Sequence, residues 1–323
     1  MTIKSKFDPI NAIIAPIILE IVLGGIGVGL GYISFLDVSN GKVDSIFKTL
    51  IYGSVLMFGA MIGLVIHYLK TIKKIQIDNQ GIKFTSLFSS EFIRWNEVEK
   101  IELTGKSRNR SIFAETTNLD LKSGKGIDII AAYYQNMPNL RMTLRQVHQF
   151  LTNNETVQLK QNADTRTLET VKHLNTSGMN NYSGNHFLSF NGIMIYVWTA
   201  VSIYFFSTLD STQYLGSLLL VFLVMFGFFY SFLGFQLHYF YLDKNYLVVK
   251  NHVWPWVNHA YKIEDIKEVV FELPYRRSNS LRVITKGYQS KLYPAGSLRD
   301  KTWKAFKEEF MGLKVNIRDE INM

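Results

Sequence analysis

The chain has 323 residues, with 35 lysines and arginines against 26 aspartates and glutamates for a net charge of +9, 14% aromatic residues and no cysteine. The lack of thiols excludes disulfides, thiolate metal sites and a cysteine nucleophile. Apolar residues make up 47% of a chain that is still 19% charged, a balance expected when apolar blocks alternate with ordinary polar sequence.

The blocks come in one order, twice. Residues 1–69 contain two apolar runs, Ile10 to Phe35 and Leu50 to Leu69, and residues 70–151 form a strand-patterned polar module. Residues 152–186, rich in Asn and Thr, read as a flexible polar linker with at most a short helix near Leu168 to Leu174. Two more runs, Phe187 to Ser207 and Tyr214 to Leu237, fill residues 187–237, and a second module fills 238–323. This is the signature of a duplicated unit. Each run meets the roughly 20-residue length of a membrane span, so the expected fold class is an α+β membrane protein with four transmembrane helices and two soluble modules.

Charge placement orients it. Residues 187–237 hold no Lys or Arg, and the connections inside the two pairs carry Asp37, Lys42 and Asp44 in one case and Asp210 in the other. The outer flanks carry Lys4, Lys6, Lys70, Lys73 and Lys74. The positive-inside rule then places both termini and both modules on the cytoplasmic side of a bacterial inner membrane. Topology accounts for the positive excess better than nucleic-acid binding does.

Within the first run, the string Gly24 to Gly31 neither follows a strand nor opens a βαβ unit, so it is no phosphate loop. Gly25 with Gly29, Gly27 with Gly31 and Gly59 with Gly63 have instead the small-xxx-small spacing of helix packing. Glu20 is the only acidic residue in any run. It is either an intramembrane proton or cation site or, if Pro16 occupies the first turn of the span, an interfacial carboxylate within reach of Lys4 or Lys6.

In the modules the period changes to two. Ile75 and Ile77, a turn at Asp78 to Gly81, then Ile82 and Phe84 predict a hairpin. Further strands are expected at Glu91 to Trp95, Val98 to Leu103, Asn118 to Leu121 and Gly126 to Ile130, and a closing helix at Leu140 to Leu151. The second module repeats the plan through Tyr239, Tyr241 and Leu242, a turn at Asp243 to Asn245, Leu247 and Val249, and a helix with Trp303, Phe306 and Phe310. Its phrase from Tyr261 to Val269 stands where Phe92 to Ile101 stands in the first.

Two apolar runs, a Gly or Asn turn, the phrase Ile93-Arg94-Trp95-Asn96-Glu97-Val98-Glu99-Lys100-Ile101 and one closing helix resemble the bacterial pleckstrin-homology membrane proteins. The resemblance covers both modules and, less specifically, the runs. It implies a bent seven-stranded sandwich or barrel capped by the C-terminal helix, a fold used mainly for binding. In eukaryotic relatives, Lys and Arg around the first hairpin turn hold phosphoinositides; here the turns supply only Lys83 in one module and Lys244 and Lys250 in the other.

The loops between the second and third predicted strands carry Leu87 and Phe88 in one module and Trp254 and Trp256 in the other, apolar where a loop is normally polar. They are expected at the membrane interface, with Lys73, Lys74 and Lys250 favouring anionic lipid, or else covering the barrel mouth. Arg108 with Arg110 and Arg276 with Arg277 pair in matching loops and are the candidates for an anion or an acidic partner. The seven histidines are scattered and no nucleophile elbow or Walker loop is present, so neither catalysis, metal nor cofactor is expected. The sequence reads as a non-enzymatic membrane scaffold or sensor binding protein partners or inner-leaflet lipid, with a small transporter or channel built on Glu20 as the alternative; homo-oligomerisation is left open.

Overall fold

The computed structural model describes residues 2–39, 45–108, 115–153, 155–160, 174–207, 226–227, 230–274 and 278–321. It divides into two compact units, Met1–Asp164 and Thr165–Met323.

Unit 1 begins with a strand, β1 (Ile3–Lys4), followed by a π-helical turn at Ile10–Ile14, α1 (Ala15–Ser39) and α2 (Ser45–Thr71). Next come β2 (Lys74–Ile77), β3 (Gly81–Thr85), β4 (Ser90–Arg94), β5 (Val98–Lys106), β6 (Glu115–Leu121), β7 (Gly126–Ile130) and α3 (Met137–Thr152). They build one antiparallel sheet in the order β1-β2-β3-β4 and a second, β5-β6-β7. Leu140, Leu144 and Val147 of α3 close the core over Ile75, Ile77, Phe84 and Leu119.

Local chemistry explains the turns. Asp78 Oδ1 accepts from the backbone N–H of Gln80 and Gly81 at 2.9 and 3.0 Å, the usual Asp-led turn. Gly81 is required there because a Cβ would sit 2.1 Å from the Ile93 carbonyl oxygen. The shared phrase makes the same corner in both units, a 3-10 turn between strands. In unit 1, Trp95 N donates to Gln80 O, and Glu97 O accepts from Lys122 N; in unit 2, Ile263 N donates to Asn245 O, and Asp265 O accepts from Lys286 N.

Unit 2 contains β8 (Asn180–Tyr182), α4 (Phe190–Ser207), β9 (His238–Leu242), β10 (Tyr246–Asn251), β11 (Asn258–Lys262), β12 (Ile266–Glu272), β13 (Ser280–Thr285), β14 (Ser290–Pro294), α5 (Asp300–Met311) and β15 (Asn316–Asp319). Its sheets run β8-β9-β10-β11 and β14-β13-β12-β15, the last strand parallel to β12. Phe240, Phe271, Trp303, Phe306 and Phe310 form an aromatic core.

Each module thus starts before its apolar helices. Ile3 pairs with Ile77, the Asn136 side chain bridges Lys4 O and Lys6 N, and Asp8 N donates to Tyr133 O. In unit 2, Asn180 to Tyr182 pair with Leu242 to Phe240, and the Asn180 amide and Tyr182 hydroxyl both donate to Glu309. The helices therefore leave each module between its first and second strands. Residues 155–160, within the segment expected to be linker, pack on unit 1 through buried Val157 and Leu159. Most of the short helix expected near Leu168 to Leu174 lies outside the described residues.

The expectation of four transmembrane helices is overturned. Among the described residues, two helices are long and apolar enough to cross a membrane, Ile10–Tyr32 and Ile51–Thr71. The third run opens with a 3-10 turn, His186–Leu188, capped by Asn185, after which Ser189 Oγ accepts from Gly192 N and α4 begins. Among the described residues its apolar stretch is Phe190–Tyr204, within α4. Of the fourth run, residues 214–225 and 228–229 lie outside the described residues, while 230–235 are helical. The architecture is α+β, with antiparallel sheets consistent with sandwich modules.

Only 6% of each spanning stretch is buried, and Ile17, Ile21, Val28, Val55, Leu56 and Ile62 are all exposed. Soluble monomers rarely present so much contiguous apolar surface, which is consistent with membrane association. The α1/α2 seam is built on Gly24, Gly27 and Gly31, whose would-be Cβ atoms lie 3.2–3.3 Å from Met61, Phe58 and Ser54; Ser54 Oγ donates to Gly27 O at 2.7 Å. Gly25, Gly29, Gly59 and Gly63 meet nothing within 4 Å, so of the three glycine pairs only Gly27 with Gly31 lies in this seam.

Candidate membrane-contacting face

The strand order defines two ends for each module. Helical residues 230–235 lead directly into β9, so the β9–β10 turn is remote from the helix, the β10–β11 loop returns to it, and the β12–β13 loop and residues 295–299 share that helix end. Contacts agree: Leu237 bridges to Ala295, Gln236 Oε1 accepts from Ser278, and the Asn251 amide donates to Gly234 O.

In unit 1 the β3–β4 loop is at this end. Ser86 N donates to Ser89 O at 2.8 Å and Ser89 N to Ser86 Oγ at 3.1 Å, a tight turn that thrusts Leu87 and Phe88 outward, 72% and 66% exposed. Lys74 opens β2 on its exposed side. Lys73 Nζ stands 5.9 Å from the Phe84 ring centre, and its carbonyl accepts from the Tyr134 hydroxyl. Lys73, Phe84, Tyr133 and Tyr134 also line a cleft of about 170 Å³.

Unit 2 places Trp254 and Trp256 in the β10–β11 loop. Asn251 Oδ1 accepts from the N–H of Val253 and Trp254 at 2.8 and 3.0 Å, holding the turn. Trp254 packs edge-on against Tyr230, while Trp256 leans on Trp254 at 4.8 Å and remains 72% exposed. Lys250 sits on the same end of β10, its Nζ 5.0 Å from the Tyr241 ring centre.

The arginine candidates fare differently. Arg108 pairs with Asp120 and, more loosely at 3.8 Å, with Asp128, so its charge is engaged within the fold. Arg110, Arg276 and Arg277 lie outside the described residues. The turns around which Lys83, Lys244 and Lys250 stand are tight Asp-led hairpins, Asp78 Oδ1 accepting from Gln80 N and Gly81 N and Asp243 Oδ1 from Asn245 N and Tyr246 N.

Glu20 lies ten residues into the helical run rather than in its first turn. The helical run starts at Ile10, where Asp8 Oδ1 accepts from Asn11 N, and the π-turn with Ala15 N donating to Ile10 O accommodates Pro16 inside it. At 1.5 Å per residue, Glu20 lies about 15 Å along the helix, one turn before Gly24 on the seam. Its Oε2 is buried with no hydrogen-bond partner among the described residues.

Sequence reasoning missed one constellation. His186, ahead of α4, stacks on His252 of the β10–β11 loop at 4.3 Å, and His252 stacks on Tyr239 at 4.3 Å. Burial, then the neighbouring His186, pushes His252 down to about 4. These residues are more than 50 positions apart in part, and nothing local signals the stack. Among the described residues no three imidazoles or carboxylates converge to hold a metal ion. Comparison of the chain with protein-family models and with functionally characterised proteins finds no match.

Proposed function

We propose that this protein is a non-enzymatic, membrane-anchored scaffold or sensor, whose modules rest with their helix ends on the inner leaflet of a bacterial cytoplasmic membrane and bind lipid there. One observation carries the reading: in both units the exposed apolar tip, Leu87 and Phe88 or Trp256, lies at the end where the helices leave the module. Tryptophan favours the headgroup layer, and each lysine near an anionic surface contributes about 1 kcal/mol, which Lys73, Lys74 and Lys250 are placed to supply. The shared chain order of four strands, three strands and a helix, to which unit 2 adds β15, supports reading the modules as pleckstrin-homology-like. The test is tryptophan quenching by brominated lipid in reconstituted protein. The fraction quenched should fall in Trp256→Phe and rise with anionic lipid; equal quenching of wild type and variant would contradict the reading.

Glu20 favours a second reading, a proton-conducting role for the helical pair, because an ionisable side chain in an apolar helix, here half-buried with one oxygen buried and unpartnered among the described residues, is by default functional. Proteoliposomes loaded with a pH-sensitive dye should then show a proton leak that Glu20→Gln abolishes. An unchanged leak would dispose of it.

A further inference from the structure

The far end of unit 2, remote from the helices, holds an open basin of about 1100 Å³. Lys244 from the β9–β10 turn, Lys262 from the end of β11, Lys286 from the β13–β14 turn and Lys314 from the chain beyond α5 converge on it. None of the four forms an ion pair among the described residues. Of the two carboxylates in the lining, Glu309 is occupied by Asn180 and Tyr182, leaving Glu264. Ile263 and Leu313 add half-buried apolar surface, and Asn180 and Asn245 add amides.

Unit 1 indicates what such an end can hold. There the segment Glu155 to Lys160 crosses the corresponding turn: Leu159 N donates to Asn79 Oδ1 at 3.1 Å, Lys160 N to Gln146 Oε1 at 3.1 Å, and Val157 and Leu159 are buried. In unit 2 the chain beyond α5 instead pairs as β15 with β12. We infer that the basin of unit 2 is a docking site for an extended, acidic segment of a partner protein. Carboxylates engage the four lysines, apolar side chains rest on Ile263 and Leu313, and the Asn180 and Asn245 amides meet the peptide backbone. Lysines spread around a wide rim suit a chain of spaced carboxylates better than one compact anion, which favours a convergent guanidinium fork.

The test uses the full chain in detergent, which separates it from lipid contact by the opposite end. The probe is a fluorescein-labelled peptide of alternating glutamate and leucine, read by anisotropy. Wild type should bind in a salt-sensitive manner. Combined Lys262→Glu, Lys286→Glu and Lys314→Glu should weaken binding about tenfold or more, whereas Lys301→Glu with Lys304→Glu on α5 should leave it unchanged. Thermal melts establish that each variant is folded. No binding by wild type, equal loss in the α5 control, or displacement of the peptide by inorganic phosphate or anionic vesicles under conditions where sodium chloride of equal ionic strength leaves it bound would overturn the assignment.

Discussion

The indole of Trp254 stands edge-on to the ring of Tyr230, centroids 5.6 Å apart, and so fastens the β10–β11 loop to the helical residues that lead into β9. Its neighbour Trp256 makes little of this packing and is mostly exposed. The two should therefore separate by mutation. Trp254→Ala is expected to cost unit 2 about 1–2 kcal/mol through a lost half-buried aromatic, and Trp256→Ser less than about 0.5 kcal/mol, both read from urea melts. Equal losses would mean that Trp256 is structural as well.

Strand β9 is central in its sheet, bonded to both β8 and β10. A fragment starting at Asp243 lacks both β8 and β9, leaves Leu247 and Val249 without cover, and is expected to stay unfolded. A fragment that joins residues 178–186 to 236–321 through a Gly-Ser linker should fold. Amide dispersion in NMR spectra distinguishes the two.

Unit 2 should also weaken in mild acid. His238, its Nδ1 2.9 Å from Pro294 O, is driven down to about 4 chiefly by burial; His252 and His259 are held at about 4 for the same main reason, with His186 and Lys291 respectively adding repulsion. The unfolded chain takes up these protons near 6.5 and the native state only near 4, so stability is complete above about 6.5 and is lost as pH falls toward 4. For His238, which is nearly inaccessible, the shift corresponds to about 3 kcal/mol. Unit 1 has no buried histidine among the described residues and should show no such histidine-linked loss. Urea midpoints at pH 7 and pH 5 check this, and a flat unit 2 response would count against it.

Arg282 and Glu272 form a buried pair across β12 and β13, with Arg282 Nη2 2.6 Å from Glu272 Oε1. Glu272→Ala should cost about 3 kcal/mol by removing one partner of a buried ion pair, whereas replacing both partners with apolar residues of similar volume should be close to neutral. A double-mutant cycle in thermal melts measures the difference.

Much of the module was legible because alternation and turn chemistry are local. The hairpin at Asp78 to Gly81, the strand at Gly126 to Ile130 and the closing helices lie where periodicity puts them. Strands β1 and β8 escaped because Ile3–Lys4 and Asn180–Tyr182 are too short or too polar to show a period; partners far along the chain make them strands. Apolar length alone missed that Asn185 and Ser189 divert the first residues of the third run into a turn, so that its helix starts at Phe190. Pro16 suggested a helix start, but a π-turn upstream absorbs it. At the site, the exposed tips were readable from composition, whereas the engagement of Arg108 by Asp120 and Asp128 and the His186–His252 stack depend on residues brought together only by the fold.

The absence of cysteine makes the central claim directly measurable, because any introduced thiol is unique. Nitroxide labels at Phe88→Cys, Trp256→Cys and, as a far-end control, Lys286→Cys can be compared in lipid nanodiscs by their collision rates with oxygen and with a water-soluble nickel chelate. Labels at 88 and 256 should favour oxygen and be shielded from nickel, while the label at 286 should favour nickel; equal nickel access at all three positions would contradict contact between the helix ends of the modules and lipid.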